Sequence, residues 1–251
     1  MSKFGEKIRR ATRREAAPMG FAALKEQRAP TMLVLALVDA KARKEALAEA
    51  ANGADAAAVR AGHLEAGLEG LKALREAAPE LPCGLWVRAA GREGVRQAWQ
   101  AGADFIIYGD EETDAGVFLE EGVGQVLAVA PGATDAYLRM VEASPVEAVL
   151  VEGWEGPLTV RHSFELQRIG MLTRRPMVVP PGGDLDETQL QVLRDLGVAV
   201  VAVEAAAGAT ARLRELIQGL PARRRREDRA EPLLPQVAVA ADEDEDDEGL
   251  P

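Results

Sequence analysis

From Met32 the chain alternates between short apolar runs and longer mixed segments with helical periodicity. The run at 32–40, MLVLALVDA, has no polar residue before its end, as expected of a strand buried on both faces of a parallel sheet. A helix over 41–51 follows, and Asn52-Gly53 ends it. The pattern then predicts strands at 54–62, 83–90, 103–112, 124–132, 146–153, 177–179 and 198–203. The second strand (ADAAAVRAG) is carried by its place in the series rather than by β propensity. Helices are predicted at 64–77, 92–101, 114–121, 134–142, 186–195 and 209–218, and another that starts near Pro157 or Leu158. Taking the first strand residues as 32, 55, 83, 104, 125, 147, 176 and 198, they recur every 21 to 29 residues, often just after a glycine. Such a beat of strand and helix makes parallel βαβ units, and eight of them favour closure into a (β/α)8 TIM-type barrel. A doubly wound open sheet is the alternative; it calls for a Gly-rich loop after the first strand, where this chain has Val38-Asp39-Ala40-Lys41.

Three segments follow from this pattern. Residues 1–30 are a basic N-terminal helix and connector: Phe4, Ile8 and Ala11 share one face of a helix over 2–16, and eight Lys/Arg stand against three Glu. Residues 31–220 are the barrel. Residues 221–251 form a tail with an Arg run, an apolar patch beginning at Pro232, and seven acids among the last ten residues, a composition expected to be disordered. Protein partners would be recruited through residues 1–20 or 221–251.

Composition narrows the function. A net charge of −11 and 4% aromatics argue against nucleic-acid binding. No apolar run reaches the ~20 residues of a membrane span and no signal-peptide core is visible. With Cys83 as its single cysteine the chain suits a reducing cytoplasm, and one Cys with two His cannot build a Cys/His zinc cluster. Cys83 falls within a strand and reads as a small buried apolar residue. None of the six lysines lies inside a predicted strand, so a Schiff-base aldolase of the usual barrel kind is not expected. No His-x-His follows strand one; His63 starts a helix and His162 lies in the long sixth connection, both read as surface positions.

Barrel function sits where strands end at the C-terminal face. Acids stand there after strands one, four, six and eight (Asp39, Asp110, Glu152, Glu204), and Arg60 and Arg88 stand after strands two and three. One reading is a network of ion pairs across the mouth with no catalytic task. The other is a site in which Asp39, Glu152 and Glu204 supply general acid–base groups or ligands for a cation such as Mg2+, while Arg60, Arg88, Asp110, Gly182 and Gly183 bind a small anionic substrate. No other cofactor is evident. The first reading makes the chain a non-catalytic, partner-binding barrel; the second makes it a lyase or isomerase.

Two resemblances add to this. The stretch Arg175–Leu220, with Gly182-Gly183 after strand seven, resembles the phosphate-binding barrels of the indole-glycerol-phosphate synthase and phosphogluconate aldolase type. The resemblance implies an anion held at the Gly-Gly turn, where a helix N-terminus is ready for it. Those barrels add Gly-Ser or Gly-Arg after strand eight; here Glu204-Ala205-Ala206-Ala207 stands instead, a carboxylate where a second phosphate donor is expected. The flavin-binding variant, which needs that Gly-Arg, is not indicated. The basic helix followed by Pro18-Met19-Gly20-Phe21 resembles a group of uncharacterised bacterial proteins, and implies no activity.

Overall fold

The computed structural model describes residues 2–12, 32–152 and 156–221. The PMGF turn, Trp154 and Glu155, and the acidic tail lie outside the described residues. Helix α1 (Lys3–Thr12) is followed by strands β1 (Leu33–Asp39), β2 (Ala56–Ala61), β3 (Cys83–Val87), β4 (Phe105–Tyr108), β5 (Gly124–Val129), β6 (Ala148–Val151), β7 (Met177–Val179) and β8 (Val198–Glu204). Each pairs in parallel with the next, and β8 pairs with β1, closing the barrel. Helices α2 (Lys44–Ala51), α3 (Leu64–Ala77), α4 (Arg92–Gln100), α5 (Asp135–Ala143), α6 (Val160–Thr173), α7 (Glu187–Asp195) and α8 (Ala209–Gly219) form the outer layer.

The strands read as continuous apolar runs because both faces are buried. Val34, Ala36 and Val38 point outward with Val59, Leu85 and Ile106 and meet helix residues such as Leu71, Leu138, Ile169 and Leu213. Leu33, Leu35 and Leu37 point inward with Ala56, Ala58, Phe105, Ile107, Val126, Ala128, Leu150, Val178 and Ala202. Cys83 belongs to the outward set and is buried, as its strand position implied.

Helix α1 plugs the N-terminal end of the barrel. Phe4 and Ile8, each 1% exposed, join the inward-facing cluster. The Phe4 ring stacks on Phe105 with centroids 4.3 Å apart. At the helix start, the Asp104 carboxylate accepts from the backbone N–H of Lys3 (2.9 Å) and Phe4 (2.8 Å). The Glu147 carboxylate accepts from the Ser2 N–H at 3.0 Å and from its hydroxyl. Both acids immediately precede a barrel strand, so the plug is tied to β4 and β6 by charge-assisted bonds. Gly84 makes room for this packing, since a Cβ there would lie 2.5 Å from the Phe105 ring.

One predicted helix is replaced. The 114–121 segment is a single 3-10 turn, Ala115–Leu119. The Gln125 side-chain amide donates to the carbonyls of Val117 (2.9 Å) and Glu120 (3.3 Å), and Tyr108 donates to the same amide at 2.6 Å. A side chain on the sheet thus adds a donor to this turn, whose Val117 carbonyl also accepts from the Glu120 N–H at 3.1 Å. Helix α6 starts two to three residues later than predicted, at Val160, because Thr159 and His162 form a reciprocal cap there.

The plug makes a prediction. Phe4→Ala is expected to lower unfolding free energy by about 3–5 kcal/mol in urea denaturation, the cost of emptying a well-packed aromatic site. A loss below about 1 kcal/mol would show that α1 does not support the barrel interior.

Candidate functional site at the barrel mouth

Inward-facing residues recur every second position along a strand. Carrying each inward series to the C-terminal end gives one residue per strand: Asp39, Arg60, Arg88, Gly109, Ala130, Glu152, Pro180 and Glu204. The ring therefore holds three acids and two arginines, with two small residues side by side on β4 and β5. Beside those small residues is a cavity of about 500 Å3. Its walls include Arg60, Trp86, Arg88, the 109–112 loop, Ala128, Ala130 and Glu152. A smaller cavity of about 210 Å3 lies at the opposite, N-terminal end, between Lys3, Arg75, Trp99 and Asp104.

The predicted site residues separate into groups. Arg60 reaches over β1 to Glu204 on β8, at 2.8 Å, and both side chains are about half exposed. Arg88 pairs with Glu112 at 2.7 Å, also well exposed. Asp39 is exposed and its carboxylate accepts from the Lys41 N–H at 2.9 Å. Asp110 lines the cavity and acts on Tyr137 of α5, whose hydroxyl is pushed up by burial and then by its hydrogen bond with that carboxylate. Glu152 lines the cavity and its carboxyl is raised by desolvation. Of Asp39, Glu152 and Glu204, Glu152 is the one in the cavity wall. Among the described residues, no three His, Cys, Asp or Glu side chains gather as a set able to hold a metal ion.

Gly182 and Gly183 lie in an exposed turn away from the cavity lining. Helix α7 begins four residues later, and there the Asp186 carboxylate accepts from the Gln189 N–H at 2.7 Å. After β8, the Gly208 N–H at the start of α8 donates to the Glu49 carboxylate of α2 at 2.8 Å. Both helix N-termini thus hold a carboxylate of this chain, where phosphate would otherwise be favoured.

Other candidates take structural places. Burial pushes the Cys83 thiol up to about 11 and it faces the helices, away from the mouth. His162 accepts from the Thr159 N–H through Nδ1. His63 stands at the start of α3 and makes no side-chain cap bond.

Residue types alone did not single out Trp86, Tyr137 or Glu49. Trp86 had a usable signal: it stands two positions before Arg88 and so shares its inward face. The Arg60 guanidinium lies 5.8 Å from the Trp86 ring centroid. Glu49 had no such signal, because its contact with Gly208 joins residues 159 positions apart.

No protein-family model matches the chain, and no curated protein sequence matches it. Solved structures do. It is similar to thiamine phosphate pyrophosphorylase from Pyrococcus furiosus, with a TM-score of 0.58 and 20% identity over 75% of this chain and 96% of that one. It is also similar to a single-substitution variant of the tryptophan synthase α-subunit from the same hyperthermophile, with a TM-score of 0.57 and 17% identity over 75% and 97%. The tryptophan synthase complex of that organism gives a TM-score of 0.56 at 15% identity. At these identities the likeness shows a shared (β/α)8 barrel fold.

Proposed function

We propose that the barrel mouth binds a small anionic metabolite and acts on it as a lyase or isomerase. The observation that carries the reading is one cavity joining two exposed guanidinium groups to a desolvated carboxyl, Arg60 and Arg88 with Glu152. Exposed ion pairs are worth about 0–1 kcal/mol each. An anionic ligand can therefore replace Glu204 on Arg60, or Glu112 on Arg88, at little cost. Glu152, on the side of the barrel facing β2 and β3, is the acid–base group: desolvation raises its carboxyl above the ordinary carboxylate value. The arginines stabilise the negative charge that forms when the proton leaves. The names of the structural neighbours, a pyrophosphorylase acting with thiamine phosphate and tryptophan synthase, support catalysis on this fold by analogy.

A second reading has its own support. The arginine pairs and the carboxylates of Glu49 and Asp186 leave several anion positions already filled from within. On that reading the barrel is non-catalytic and recruits protein partners through residues 1–20 or 221–251.

Titration calorimetry against a panel of carboxylated and phosphorylated metabolites separates the two. A hit on the first reading is weakened at least tenfold by Arg88→Ala, the value of about 1.5 kcal/mol or more for a charged hydrogen bond, and is tightened by Glu204→Gln, which frees Arg60. Turnover of that hit falls about 100-fold or more in Glu152→Gln with affinity retained. Absence of binding by every acid in the panel selects the second reading.

Glu152 also gives a pH-dependent prediction. Its carboxyl is raised above the ordinary value of 4.5 in the folded state, so it favours folding when protonated and opposes it as pH rises through the folded value. Glu152→Gln is expected to melt higher than the parent at pH 7, and the gap is expected to close below about pH 4. An equal gap at both pH values would show that desolvation of Glu152 is not the cause.

A further inference from the structure

Trp86 is half-buried in the apolar interior and also forms part of the cavity wall. Among the described residues of the cavity wall it is the one aromatic side chain. Three inward series carry bulk: Leu35 and Leu37 on β1, Phe105 and Ile107 on β4, and Leu150 on β6. Above that layer, β4 and β5 offer only Gly109, Ala128 and Ala130. These small residues leave the open volume beside the indole.

We propose that this volume takes the ring of a planar conjugated acid, which lies against Trp86 while its carboxylate replaces Glu204 on Arg60. The proposal rests on the anionic-ligand reading above and names the ligand class. The Arg60–Glu204 pair already places a carboxylate on this guanidinium at 2.8 Å. The guanidinium stands 5.8 Å from the ring centroid, near the ~6 Å limit for cation–π contact and well beyond the ~3.5–4.0 Å of carbon atoms in contact. Arg60 and the Trp86 indole therefore border the same volume. Glu152 lines the same cavity. The arginines favour an anion, and the aromatic face favours a conjugated one over a saturated one, because an aromatic pair gains energy beyond the area it buries.

The test uses naphthalene-2-carboxylate and decahydronaphthalene-2-carboxylate, acids of equal charge and similar size, against the full chain. Calorimetry is expected to show the aromatic acid binding about 2- to 10-fold more tightly, with quenching of tryptophan emission. Trp86→Phe keeps the preference and loses the quenching; Trp86→Ala removes the preference. Ala130→Phe, which fills an exposed part of the cavity wall without changing charge, blocks both acids and covers the case in which Trp86→Ala fails to fold. Equal binding of the two acids overturns the aromatic platform and leaves the anionic site standing. Failure of both acids while a metabolite from the panel binds also overturns it. Failure of both acids together with the whole panel removes the anionic site itself.

Discussion

A closed parallel barrel turns half of every strand's side chains towards one narrow interior, and that interior has to be filled. The remaining features of this protein follow from how the filling is achieved. Leucines on β1, Phe105 and Ile107 on β4 and Leu150 on β6 supply bulk; Ala56, Ala58, Ala128, Ala148 and Ala202 give it room. The strands alone leave the lower end open. Helix α1 completes it with Phe4 and Ile8, held by acids that stand just before β4 and β6. A basic, exposed helix surface and a buried two-residue face are therefore one device: the charge keeps the outside wet while the aromatic ring closes the core.

The same alternation produces the mouth. Two positions beyond the apolar layer, the inward series meets solvent and becomes charged on β1, β2, β3, β6 and β8. Arg60 and Arg88 find Glu204 and Glu112 there, in pairs exposed enough to exchange partners. Glu152 has no such partner among the causes that shift it; desolvation dominates, and its carboxyl rises. The arrangement sets exposed, paired arginines and a desolvated carboxyl on one cavity.

The departure from phosphate-binding barrels also has a physical form. In those barrels the end of strands seven and eight is the anion side. Here Asp186 and Glu49 occupy the helix N-termini on that side, and the free guanidinium capacity sits on β2 and β3. The Glu204 carboxylate, unexpected as a phosphate neighbour, is explained as the resting partner of Arg60.

Much of the fold was legible because it depends on local rules. Apolar runs of strand length, helical periodicity and glycine stops located all eight strands within a few residues, and Phe4 with Ile8 marked the buried face of α1. The 3-10 turn in place of a helix at 114–121 was not legible, since the Gln125 amide that binds its carbonyls comes from another element. The charged ring at the mouth was legible as a set, because strand ends can be counted. Its pairing was not: which acid meets Arg60, whether Gly182 and Gly183 face the cavity, and that Glu49 sits on Gly208 depend on contacts between residues far apart in the chain. The sequence by itself determined the βα rhythm, the inward positions and the residue types they carry, because these follow from backbone periods of 2 and 3.6. Only the tertiary structure decided which charges neutralise each other and where a cavity remains, because barrel closure sets the distances between strands that the chain keeps apart.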